Sequence, residues 1–89
     1  MISRTTERFR KAYRSLPLRI QKRAKQAFQI WIEDPHDKSL HFKQIHPVKP
    51  IYSARVTVGW RAVGVKKEDT MVWFWIGSHA DYDKLISRL

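Results

Sequence analysis

The chain reads as an α+β domain: an N-terminal helical hairpin packed on a twisted antiparallel sheet, followed by a short C-terminal helix. Three observations predict this. Apolar residues recur at helical spacing through the first third. After Pro35 the pattern changes to the two-residue alternation of strands. Residues 71–76 (MVWFWI) then form an almost unbroken apolar run, as expected of a strand with both faces covered, lying inside the sheet and not at its edge. Helices first and a meander after them place the helices on one sheet face.

The first helix covers residues 6–15, with Phe9, Ala12, Tyr13 and Leu16 on its inner stripe. Thr5 or Thr6 caps it, and Glu7 suits its first turn. Pro17 breaks that helix and opens a second one, where a missing N–H costs nothing. Ile20, Ala24, Ala27, Phe28 and Trp31 form the second stripe. Pro35 ends it by pushing Asp34 out of helical geometry.

Residues 36–39 are a polar connector. Residues 40–45 (LHFKQI) alternate as a half-buried strand does. Pro47 and Pro50 bracket a loop that carries Lys49. Residues 52–58 and 60–65 are strands joined at Gly59, and 66–69 form a charged turn. Strict alternation puts Trp73 and Trp75 on one face of the next strand, and Val72, Phe74 and Ile76 on the other. Residues 81–89 form the last helix, with Leu85 and Leu89 on one side.

All 89 residues fit one domain, large enough to fold alone by a modest margin. A hydrophobic content of 43% argues against disorder. Without cysteine there is no disulfide, thiolate nucleophile or thiolate metal site. No apolar stretch reaches the roughly 18 residues of a membrane span, and the N-terminus lacks the apolar region of a signal peptide. A cytoplasmic protein with no membrane partner is expected. The net charge of +10 is uneven: residues 1–26 hold nine Lys and Arg against the single acid Glu7. Such a bias suits a polyanion or an acidic protein. It also suits a solvated helix face that keeps a small protein soluble.

Residues that can carry chemistry gather late in the chain. Arg61 interrupts an apolar strand run. A guanidinium holds a phosphate in two places and stabilises charge that builds during phosphoryl transfer. The structural alternative is a salt bridge to Asp83 or Glu68. Arg55, on the preceding strand, needs no function as a solvated charge. A two-residue turn at Gly59 and Trp60 puts Arg55 and Arg61 on opposite faces, whereas a three-residue loop over 58–60 puts them together. His79 follows the apolar strand at Gly77 and Ser78. Metal-free RNA cleavage needs a group that deprotonates the ribose 2′-hydroxyl, one that steadies the phosphate and one that protonates the leaving 5′-oxygen. Histidine serves as acid or base near neutrality. Tyr82 can stack on a base or bond a phosphate oxygen, or be a half-buried helix residue with its hydroxyl in water. Asp83 can orient His79, or simply add negative charge to the first helical turn. Most tryptophans belong to the core, with Trp60, at the turn, free for a partner. Lys49 is a further phosphate contact or an ordinary exposed lysine. His36, His41 and His46 lack ligand spacing, so neither a metal nor a cofactor is expected.

Several of these features form an ordered set. The strand opens on Tyr52 and carries Arg55; residues 59–63 read Gly-Trp-Arg-Ala-Val; residues 76–83 read Ile-Gly-Ser-His-Ala-Asp-Tyr-Asp. Leu16 and Pro17 open the second helix, and Asp34 and Pro35 close it. In order and spacing this resembles the RelE/ParE superfamily of small bacterial toxins over nearly the whole chain. The resemblance implies a RelE-like fold in which residues 1–4 supply a first strand, here reduced to a few residues. It implies the toxin of a type II toxin–antitoxin module, with an acidic antitoxin bound by Arg19, Lys22 and Arg23. It places Arg55 and Arg61 in one concave surface, and so favours the three-residue loop.

One branch of the superfamily, similar to RelE, cuts mRNA, mostly in the ribosomal A site. The other, similar to ParE, poisons DNA gyrase and lacks the nuclease residues. The arginines and the His79/Tyr82 ending align the chain with the first branch. They imply a metal-independent endoribonuclease that inhibits translation, with RNA and the ribosome as partners. Arg61, His79 and Tyr82 are then catalytic, and Arg55, Lys49 and Trp60 bind RNA. Two positions depart from the pattern. Ser53 stands where some ribosome-dependent members carry lysine, and His79 replaces another basic residue. A ParE-like gyrase inhibitor and a plain basic binding module are the competing readings.

Overall fold

Thr6 begins the helical part of the molecule. Its hydroxyl accepts the Phe9 N–H at 3.1 Å, satisfying one of the free donors of the first turn. The computed structural model describes residues 1–89. The elements are β1 (Ile2–Thr5), α1 (Glu7–Arg14), α2 (Leu18–Glu33), a 3₁₀ turn (Lys38–Leu40), β2 (Lys43–Gln44), β3 (Ile51–Thr57), β4 (Trp60–Lys67), β5 (Thr70–Ser78) and α3 (His79–Ser87). The two helices of the hairpin are stitched side chain to backbone. Tyr13 Oη donates to Gln21 O at 3.2 Å, and Gln21 Nε2 donates to Leu16 O at 3.0 Å. None of the helices is long and apolar enough to cross a membrane.

The α+β architecture is as the sequence predicts. The sheet order is β1-β5-β4-β3-β2. The three pairings from β2 to β5 are antiparallel, and β1 lies parallel to β5, so the sheet is mixed. The short first strand covers the outer edge of β5 and makes it an internal strand, as its two apolar faces require. Residues 40–45 depart from the expected strand. Only Lys43 and Gln44 pair with β3, Leu40 belongs to the 3₁₀ turn, and His41 is left-handed at φ 46°. Their alternating apolar residues serve as anchors instead. Leu40 is buried, and Phe42 stacks on Tyr52 with ring centroids 5.1 Å apart.

Both sheet faces are covered. On one side Trp31, Leu40, Ala54, Val56, Ala62, Met71, Trp73 and Ile76 form the main core, and Phe9, Ala12, Tyr13 and Leu16 of the hairpin pack on it. On the other, Tyr82 of α3 meets Ile51 and Val63, flanked by Phe74, Trp75 and Leu85. The tryptophans of β5 are therefore split between the faces, contrary to strict alternation. Val63 pairs with Trp75 and Gly64 with Trp73, so Phe74 is an extra residue at a β-bulge. Gly64 allows this arrangement: a Cβ there would lie 2.7 Å from Met71 Cε and 2.8 Å from Val72 O.

Candidate functional site

The site is built where the β3–β4 hairpin meets the start of α3. Thr57 pairs with Trp60 across a two-residue turn, Val58 and Gly59. Thr57 Oγ1 accepts the Gly59 N–H at 3.2 Å. One step inward, Arg55 pairs directly with Arg61, and Val56 is the extra residue between the two pairs. The turn is thus shorter than the three-residue loop expected, and it starts one residue before the two-residue alternative. The bulge restores the register, so the arginines share a face after all. It is the α3 face, because Ser53 and Val63, two residues away on each strand, meet Tyr82 there.

Arg61 is half-buried. Its Nη1 donates to three turn carbonyls: Thr57 O at 2.6 Å, Trp60 O at 3.0 Å and Val58 O at 3.2 Å. Neither Asp83 nor Glu68 forms a salt bridge with it; Asp83 lies instead against His79. Burial, and then the like charge of Arg55, hold the guanidinium below the ordinary arginine range, while Tyr82 and Asp83 oppose the shift. Arginine still remains charged at neutral pH. With Nη1 occupied and the other guanidinium nitrogens unbonded, Arg61 is a cation fixed in place and open to an anion.

Ser78 caps α3, its hydroxyl accepting the Asp81 N–H at 3.2 Å. The helix starts at His79, two residues earlier than expected. The His79 N–H donates to Gly59 O at 2.8 Å, which ties the helix start to the hairpin turn. The early start also places His79 and Asp83 one turn apart. Nδ1 and Oδ2 lie 3.3 Å apart, on side chains 48% and 65% exposed. Tyr82, by contrast, is buried. Its hydroxyl donates to Ser53 Oγ at 3.0 Å and is not in water.

The remaining expected residues scatter. Trp60 is half-buried and packs against the main core. Lys49 lies before β3, at the end of the strand away from Arg55, and Gln44 Nε2 donates to its carbonyl at 2.9 Å. Arg19, Lys22 and Arg23 are exposed on α2. Arg19 and Arg23 line a cleft of about 630 Å³ between α2 and the β3–β4 hairpin, together with Arg55 and Trp60; Lys22 does not. His46 Nδ1 accepts the Val48 and Lys49 N–H groups and so folds its own loop. Sequence reading misses Ser53 as the Tyr82 partner and Gly59 O as the anchor of His79. Both contacts join residues remote in sequence, and no local pattern announces them.

A helical hairpin thus lies over a five-stranded mixed sheet that carries two arginines side by side at one end. Residues 18–84 match the ParE-like toxin domain, and the chain belongs to that family, within the RelE/ParE superfamily of toxins. The fold is similar to that of a chain from the RelB–RelE antitoxin–toxin complex of Methanococcus jannaschii. There the identity is 17% over 92% of this chain and 96% of that one, with a TM-score of 0.74. E. coli YafQ is similar at 14% identity over 90% and 94%, with a TM-score of 0.72. The isolated E. coli RelE toxin is similar at 17% over 98% and 96%, with a TM-score of 0.63. At these identities the likeness is one of fold. No curated protein sequence matches the chain.

Proposed function

We propose that this protein is a toxin that cleaves mRNA on the ribosome without metal, held in check by an acidic antitoxin. One observation carries the reading: Arg55 lies directly across from Arg61, at the hairpin end where an exposed His79 is paired with Asp83. Two cations on one face suit a phosphodiester. With Nδ1–H turned toward the Asp83 carboxylate, 3.3 Å away, Nε2 of His79 carries the lone pair. In this mechanism Nε2 takes the proton of the ribose 2′-hydroxyl, and the 2′-oxygen attacks phosphorus. The bond from phosphorus to the 5′-oxygen breaks, and that oxygen leaves with a proton from water. The products are a 2′,3′-cyclic phosphate and a 5′-hydroxyl. Arg61 stabilises the charge on the non-bridging oxygens. Tyr82, with its hydroxyl committed to Ser53, positions α3 and through it His79.

The antitoxin part of the reading is supported by two solved neighbours that are complexes of RelE with RelB. It also fits the nine cations against one acid in residues 1–26. The family's ParE-like description favours a second reading, inhibition of DNA gyrase. Primer extension on transcripts after induction separates the two. Discrete cleavage sites that disappear in Arg61→Ala and His79→Ala support the nuclease. Intact transcripts together with inhibited supercoiling by purified gyrase would replace it with the ParE-like activity.

A further inference from the structure

Arg19 and Arg23 of α2 line the cleft that the β3–β4 hairpin closes on its other side, and Arg55 is among the lining residues of that side. No acidic residue lines this groove, and none of the three arginines is paired with a carboxylate. Arg19 and Arg23 bring two guanidinium groups without a carboxylate partner to one wall of the groove, and an anion there relieves their mutual repulsion. The outer edge of β3 beyond Ser53 has no strand partner, because β2 pairs only with Tyr52 and Ser53. The groove therefore also presents main-chain groups. Trp60, half-buried against the core, is the one aromatic residue among those that line it. Arg55 belongs to both places: it lines the groove, and it pairs with Arg61 at the candidate catalytic site.

We infer that this groove is a second RNA subsite, holding the sugar–phosphate backbone of the single strand whose scissile phosphate lies at Arg61. The inference rests on the ribonuclease reading above. A strand leaving Arg61 on the α3 face rounds the unpaired edge of β3 past Arg55 and reaches Arg19 and Arg23 on α2, with Trp60 among the groove residues. Cationic grooves with an aromatic platform are how single-stranded nucleic acid is held without sequence preference. Arg19 and Arg23 are therefore assigned to RNA, and Lys22, which lies outside the groove, is not.

The test uses the full-length His79→Ala protein, so that RNA binds without being cut. A fluorescein-labelled single-stranded RNA of about twelve nucleotides is titrated by anisotropy across a salt series. Arg19→Ala with Arg23→Ala should weaken binding about tenfold and lower the salt slope by about 1.4, the share of two phosphate contacts on a single strand. Lys22→Ala with Lys25→Ala removes the same charge from the same helix outside the groove and should leave affinity within about twofold. Cross-linking from 4-thiouridine should mark peptides of α2 and of the β3–β4 turn, which reports contact independently of any substitution. Equal losses in the two double variants would reduce the groove to diffuse charge and overturn the proposal. So would unchanged RNA binding in the arginine variant, or an arginine effect confined to a glutamate-rich peptide. If the protein with His79 intact still cuts RNA in those cases, the nuclease reading survives and only the groove fails. Absence of RNA binding by every form would remove the groove, whereas the nuclease reading stands or falls by the transcript mapping above.

Discussion

Tyr82 of α3 donates its buried hydroxyl to Ser53 of β3 at 3.0 Å, across 29 positions of sequence. This bond pins the last helix to the sheet one step from Arg55, and His79 rides on the same helix. Tyr82 is therefore a positioning residue in the proposed mechanism. Tyr82→Phe strands the Ser53 hydroxyl and should cost about 1–3 kcal/mol. Tyr82→Ala also opens a cavity and should cost about 3–5 kcal/mol. Thermal melting checks both. RNA cleavage by Tyr82→Phe should stay within severalfold of the parent once both are assayed below their melting range.

Arg61 has two tasks that substitution separates. Arg61→Ala should lower cleavage by about 100-fold or more, as loss of a transition-state cation does. It should also lower the melting temperature, because three turn carbonyls lose their shared donor. Arg61→Lys keeps the charge but not the planar fork, so it should recover part of the stability and little of the activity.

Asp83→Asn removes the carboxylate 3.3 Å from His79 Nδ1, which the proposed mechanism uses to select the tautomer. A neutral amide no longer selects the form with a free Nε2 lone pair. Cleavage at neutral pH should fall, by about 10-fold or more, the scale of an acid–base contribution. The melting temperature should hardly move, since the pair is exposed. An unchanged pH–rate profile in this variant would count against the His79–Asp83 pairing in catalysis.

Gly64 lies opposite the β5 bulge with no room for a side chain. Gly64→Ala should destabilise the protein by about 1–3 kcal/mol through overpacking, and Gly64→Val should prevent folding. Denaturant unfolding measures the first, and soluble yield reports the second.

Asp37 sits below the ordinary aspartate value of 3.8, chiefly because the Ser39 hydroxyl donates to it at 2.7 Å, with the Ser39 N–H adding a second bond at 2.9 Å. Its contribution to stability is therefore complete above the unfolded value and disappears as pH falls through the lower folded value. Ser39→Ala should move the Asp37 titration midpoint upward, which carboxyl-resolved NMR would show.

The sequence by itself determined the elements that local chemistry controls. Helical spacing from Phe9 to Trp31, the break at Pro17 and the stop at Asp34 and Pro35 mark the hairpin, because proline geometry acts on its own neighbours. The apolar run at 71–76 marks an internal strand for the same kind of reason. The site is a different matter. Whether Arg55 and Arg61 share a face depends on one extra residue, Val56, and the faces of Trp73 and Trp75 depend on another, Phe74. A bulge is a compromise between strands that have already met, so alternation within one strand cannot reveal it. The expected strand at 40–45 failed likewise: Leu40 and Phe42 reach the core from a turn and a loop as readily as a strand would. Only the packed structure decided that Tyr82 is buried while His79, three residues earlier, is open to solvent. That choice follows from where α3 crosses the sheet, and it is set by Ser53, Ile51 and Val63 on other strands.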